Sequence, residues 1–99
     1  MTDVLSRIKG TLILRRKKRF YKVVSVKRTE GNWWAFECRD LKTRQGSSFR
    51  YEMLGMLEAM DAAYHAMKDP EDIMLIDLDN QGKWKIIPKN QVDKLMKAH

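Results

Sequence analysis

The sequence predicts a single small α+β domain, residues 1–99, built mainly of antiparallel sheet. It has about six strands, an amphipathic helix at about 53–68 and a C-terminal helix at about 89–98. Three observations predict this. Ninety-nine residues supply one self-contained core and no second one. The first half of the chain alternates β-branched and aromatic residues with polar ones between turn signals, whereas from Met53 the apolar residues recur at helical spacing. Strands come in runs rather than in regular βα alternation, which argues for segregated layers.

Residues 2–9 fit a short helix, with Thr2 as N-cap, Val4, Leu5 and Ile8 on one face, and Gly10 as the stop. TLIL, Thr11 to Leu14, reads as a strand. The run RRKKR, Arg15 to Arg19, is expected to be a solvated hairpin loop with its flanking strand ends, because five adjacent cations repel one another and pack badly. FYKVVSVKR, from Phe20, is the next strand. In RTEGNWWAFECRD a three-residue loop, Thr29-Glu30-Gly31, sets Val26 opposite Trp34, Val24 opposite Phe36 and Lys22 opposite Cys38. That register gathers Phe20, Val24, Val26, Trp34, Phe36 and Cys38 on one face with Lys22 as the only polar intruder, whereas a two-residue loop splits the apolar set. The other face then carries Tyr21, Val23, Ser25, Lys27, Trp33, Ala35, Glu37 and Arg39, so Trp34 is core and Trp33 is left over.

RQGSS makes a turn into the strand SFRYEM. A stripe of Met53, Met56, Leu57, Met60, Tyr64 and Met67 marks the helix, and methionines at this spacing read as core packing. IMLIDLD, the turn NQGK and WKIIP form a second hairpin that points Leu75, Trp84 and Ile86 to a common core. KNQVDKLMKAH closes the chain as a helix on Val92, Leu95 and Met96. Whether the N-terminal strands curl into a small barrel or stay an open sheet, the pattern leaves open.

Net charge is +7, and its distribution is uneven. Residues 1–50 hold fourteen Lys and Arg against four acids, or +10, and residues 51–99 hold six lysines against nine acids, or −3. A half stripped of acids points to a polyanion partner. The candidate binding residues are Arg15, Arg16, Lys17, Lys18, Arg19, Tyr21, Lys27, Arg28, Trp33, Arg39, Lys42 and Arg44. Cations that meet phosphates beside aromatic rings that stack on unpaired bases favour RNA, or single-stranded DNA, over a duplex, which is more often read by a helix.

Chemistry has little to work with. Cys38 falls on the core face, the two histidines are scattered, no Gly-rich phosphate loop is present, and no metal, cofactor or catalytic set is expected. The expectation is a non-enzymatic binder. The alternative is a phage- or plasmid-type accessory protein that occupies and inhibits a host nucleic-acid enzyme, anchored by Trp33 and Arg15 to Arg19, since Trp and Arg dominate protein interfaces. The weaker alternative is a small ribonuclease with Tyr21, Lys27 and Arg39 around the phosphate. In basic composition and length the chain is similar to RelE-like toxins, whose usual two helices ahead of the sheet are not in this pattern. No apolar run reaches the roughly 18 residues of a membrane span, and MTDVLSRIKG lacks a signal-peptide core, so a cytoplasmic protein is expected.

Overall fold

The computed structural model describes residues 10–67, 69–88, 90 and 91. Among these residues, six strands and one helix follow one another as β1 (Thr11–Arg16), β2 (Arg19–Glu30), β3 (Trp33–Asp40), β4 (Gly46–Glu52), α1 (Met56–Ala66), β5 (Ile73–Asp77) and β6 (Lys83–Ile87). They form one open mixed sheet in the order β4-β3-β2-β1-β5-β6. All neighbours are antiparallel except β1 and β5, which run parallel because the chain crosses over through α1 before rejoining the sheet. The architecture is therefore α+β with an open sheet. The helices expected at 2–9 and 89–98 lie outside the described residues, Asn90 and Gln91 apart, and a second helix at the C-terminal end is not supported.

The inner face of the sheet packs on α1. Its core joins Leu12, Leu14, Val26, Trp34, Phe36, Met74 and Ile76 to Met56, Ala59, Met60 and Ala63 of the helix, with Met53 and Met67 at its ends. The helix starts three residues later than the stripe suggested, because Gly55 at its N-cap has φ 79°, a left-handed conformation that interrupts helical continuity from Met53. Its buried stripe is also rotated, so that Ala59 and Ala63 are buried while Leu57 and Tyr64 stand out in solvent. A smaller cluster on the outer face, Ile13, Phe20, Ile73, Leu75 and Ile87, is buried at the β1-β5-β6 side. Leu75 thus belongs to the face opposite Ile86 and Trp84, and Trp84 is 41% exposed.

The β2–β3 register differs from the expected one in a systematic way. Glu30 pairs with Trp33 across a tight turn, Arg28 with Trp34, Val26 with Phe36, and Val23 with Cys38, with irregularities between Arg28 and Glu30 and between Val23 and Ser25. Each bulge adds one residue to β2 and flips its alternation. The bulge at Thr29 restores the apolar set that a two-residue turn alone would split, so Val26, Trp34, Phe36 and Cys38 share the inner face as expected. The bulge at Val24 flips it again: Tyr21 and Val23 turn into the core, Val24 is 53% exposed, and Phe20 joins the outer cluster. Lys22, the polar intruder of the expected core face, is thereby placed outside.

Candidate nucleic-acid interface

Towards β4, the outer face of the β4-β3-β2 half is an exposed platform, and its register orders it into rows across the three strands. Glu52, Trp33 and Glu30 form the first row, Arg50, Ala35 and Lys27 the second, Ser48, Glu37 and Ser25 the third, and Gly46, Arg39 and Lys22 the fourth. Two cationic rows therefore flank a row that holds Glu37. The distance from Trp33 to Arg39, six residues along β3, is about 20 Å.

Trp33 is 38% exposed, against 3% for Trp34. Its ring is held from one side by Arg50, whose guanidinium carbon lies 5.4 Å from the ring centroid while its Nη2 meets Glu30 at 3.3 Å. Arg50 was missed in the sequence. Alternation in SFRYEM separates it from Phe49 and Tyr51, but only the β3–β4 pairing brings it to Trp33.

The fourth row continues into a cationic end of the sheet where two segments distant in sequence meet. The Leu41 N–H donates to the Phe20 carbonyl oxygen at 3.0 Å, and Arg19 Nη1 lies 3.6 Å from Asp40 Oδ2. Lys17, Lys18, Arg19, Lys42 and Arg44 are all exposed here, next to Lys22 and Arg39. Two aspartates organise this end. Asp40 is buried, and its Oδ1 accepts the N–H groups of Lys42 at 2.7 Å and Thr43 at 3.1 Å. Asp79, from a 3-10 turn at Leu78–Asn80, accepts the Lys17 N–H at 2.6 Å and the Lys18 N–H at 2.8 Å. Both carboxyls are held below the ordinary aspartate range, Asp40 chiefly by the Thr43 and Lys42 N–H groups and Asp79 chiefly by the Lys18 N–H.

RRKKR is a hairpin with its flanking strand ends, as expected, and its turn is tight. β1 runs through Arg16 and β2 starts at Arg19, leaving only Lys17 and Lys18 as the turn, with φ 51° and 62°. Two-residue hairpins with positive φ at both positions normally use Asn and Gly. Here the Asp79 carboxylate caps both lysine N–H groups and offsets the strain. No family model matches this chain, and no curated protein or solved structure is significantly similar to it.

The remaining candidates separate. Arg15 is half-buried and paired inside the molecule, with Nη1 3.4 Å from Asp77 and Nε 3.5 Å from Asp79. Arg16 lies on the inner-face side with its guanidinium 4.4 Å from the Phe49 ring centroid. Arg28 sits opposite Trp34 and donates through Nε to the Gly31 carbonyl oxygen at 2.7 Å. Tyr21 is a core residue, edge-on to Phe49 at 5.0 Å, because the Val24 bulge turns it inward, so it leaves the expected grouping with Lys27 and Arg39. Burial, and secondarily Glu37, pushes the Cys38 thiol up to about 12, which makes it unreactive at neutral pH. Among the described residues, no group of three or more His, Cys, Asp or Glu could hold a metal ion, and no helix is long and apolar enough to cross a membrane.

Proposed function

We propose that the protein is a non-enzymatic binder of single-stranded RNA that lays the strand along the outer face, from the cationic end toward Trp33. The observation that carries this reading is the convergence of Lys17, Lys18, Lys42 and Arg44 at the end of the sheet where Lys22 and Arg39 stand on the outer face, a face that has an exposed tryptophan at its other end, with Arg19 beside them on the inner-face side. Cations track a phosphate backbone and an aromatic face takes a base of any sequence, the combination that single-strand binders use. A duplex reader would present a cationic helix to the major groove. α1, MLEAMDAAYHA, has no Lys or Arg and carries Glu58 and Asp61. Asp40 and Asp79 are held low by backbone N–H groups and the Cys38 thiol is pushed up by burial, all away from neutrality and the opposite of what a general base needs.

Mobility shift of labelled single-stranded RNA, duplex RNA and duplex DNA, with the recovered strand checked for length, tests this. The single strand is expected to be retarded most and recovered intact. Cleavage that disappears in Arg39→Ala protein while binding persists would promote the ribonuclease reading instead.

A second reading, docking on a host nucleic-acid enzyme, draws on Leu54 at 83% exposure and Leu57 at 39%, beside a shallow hollow between Trp34, Met53 and Glu58. These leucines lie away from the cationic end. Leu54→Asp with Leu57→Asp should therefore leave RNA affinity unchanged if the strand follows the outer face.

A further inference from the structure

We infer that the Val24 bulge creates a subsite for one nucleotide of the bound strand, with a phosphate held between Lys22 and Arg39 and the attached base lying over Gly46. The inference rests on the RNA-binding reading and adds a place and a base class to it. Lys22 and Arg39 are directly opposite each other on adjacent strands, both exposed on the outer face. Like charges in that position destabilise a sheet. Neither is within ion-pair distance of a carboxylate among the described residues. A phosphate between them converts the repulsion into two charge-assisted contacts.

The ground beside them is shaped for the rest of a nucleotide. A concavity of about 350 Å³ opens on the Arg39 side of the pair, bordered by Val24, Glu37, Arg39, Gly46 and Ser48, within the range of roughly 300–1,000 Å³ that holds small ligands. The bulge puts the Val24 side chain out on this surface. At Gly46 the missing side chain leaves the floor open: a Cβ there would meet only the Cys38 carbonyl oxygen, at 4.0 Å. Glu37 and Ser48 face each other across β3 and β4 at the far side. A carboxylate accepts from the exocyclic amine of cytosine, whereas on uracil the one donor of that edge, N3–H, lies between two carbonyl oxygens that a carboxylate repels. The subsite therefore takes an amino-bearing base, cytosine in preference to uracil.

Anisotropy of short labelled oligocytidine and oligouridine, measured over a salt series, tests this with three variants. Wild-type protein should prefer oligocytidine, and Glu37→Gln should narrow that preference. Lys22→Gln with Arg39→Gln should weaken binding about tenfold and lower the log–log salt slope by about 0.7, one phosphate contact's worth, while the melting temperature stays level or rises because the like-charge pair is gone. Gly46→Leu should fill the floor, weakening binding about tenfold with the salt slope unchanged. Cytidine monophosphate should compete only at concentrations far above those of the strand. If the Gly46→Leu and Lys22→Gln/Arg39→Gln proteins bind like wild type while Lys17→Gln/Lys18→Gln/Arg19→Gln protein is weakened, the subsite is wrong and the RNA-binding reading stands. If cytidine monophosphate binds as tightly as the oligonucleotide, the ligand is a free nucleotide and the strand subsite is overturned. If wild-type protein binds neither oligonucleotide at low salt, both inferences fall together.

Discussion

Asp79 and Asp40 hold the cationic end in shape with carboxylates, and that makes the fold sensitive to acid. Both groups have a folded pKa below the ordinary aspartate value near 3.9. Their contribution is therefore fully present above that value and is lost as pH falls through the folded pKa. Thermal melts from about pH 7 down to about pH 3 should show stability falling below about pH 4. Asp79→Asn should lower the melting temperature at pH 7 and shrink the acid-dependent part; an unchanged acid profile would remove Asp79 from this role. The two tryptophans give a second test at the same scale. Trp34→Ala deletes a ring at 3% exposure and should destabilise by about 3–5 kcal/mol. Trp33→Ala should leave the fold largely intact and weaken RNA binding by about 1–3 kcal/mol if a base stacks there. Calorimetry on both proteins checks the first difference and titration with RNA the second. Equal destabilisation by the two changes would mean that Trp33 too is structural.

Among the elements, the β1–β2 hairpin is where stability and binding diverge. Lys17 and Lys18 occupy left-handed positions that disfavour residues with a side chain by roughly 1–2 kcal/mol each. Lys17→Asn with Lys18→Gly suits such a turn and should raise stability by about 1–2 kcal/mol while lowering RNA affinity, because two cations leave the tip. Denaturant melts and binding isotherms on the same protein would show the two effects in opposite directions. A variant that lost stability would argue that the lysine side chains, not their backbone, shape the turn. The hairpins, the helix and the exposed Trp33 were legible because each rests on local chemistry: alternation, turn residues and helical spacing. The Val24 bulge was not, since an extra residue is accommodated only where the neighbouring strand fixes the pairing. Lys22 was its visible trace, a lysine that alternation alone would have placed in the core. The parallel pairing of β1 with β5 was equally hidden, because it joins residues about sixty positions apart.

At the scale of the whole molecule, charge is segregated in space more sharply than in sequence. The run from Arg15 to Arg19 is not one binding element. Arg15 is neutralised by Asp77 and Asp79 and Arg16 is drawn toward Phe49, while Lys42 and Arg44, more than twenty residues away in the chain, stand beside Lys17, Lys18 and Arg19. Substituting all five residues of the run would also remove the internal partner of Asp77 and Asp79, whereas changing Lys17, Lys18 and Arg19 leaves those pairs in place and gives up the contact between the largely exposed Arg19 side chain and Asp40. The central claim is that this assembled cationic end meets the phosphates of a single strand. Its most direct test is the salt dependence of single-stranded RNA binding by wild-type protein and by Lys17→Gln/Lys18→Gln/Arg19→Gln protein. With several phosphates engaged, the logarithm of the association constant should fall linearly with the logarithm of salt at a slope of about −4, and the triple variant should lose about 2 from its magnitude, near 0.7 for each cation removed. A wild-type slope close to zero, or equal slopes in the two proteins, would contradict the account.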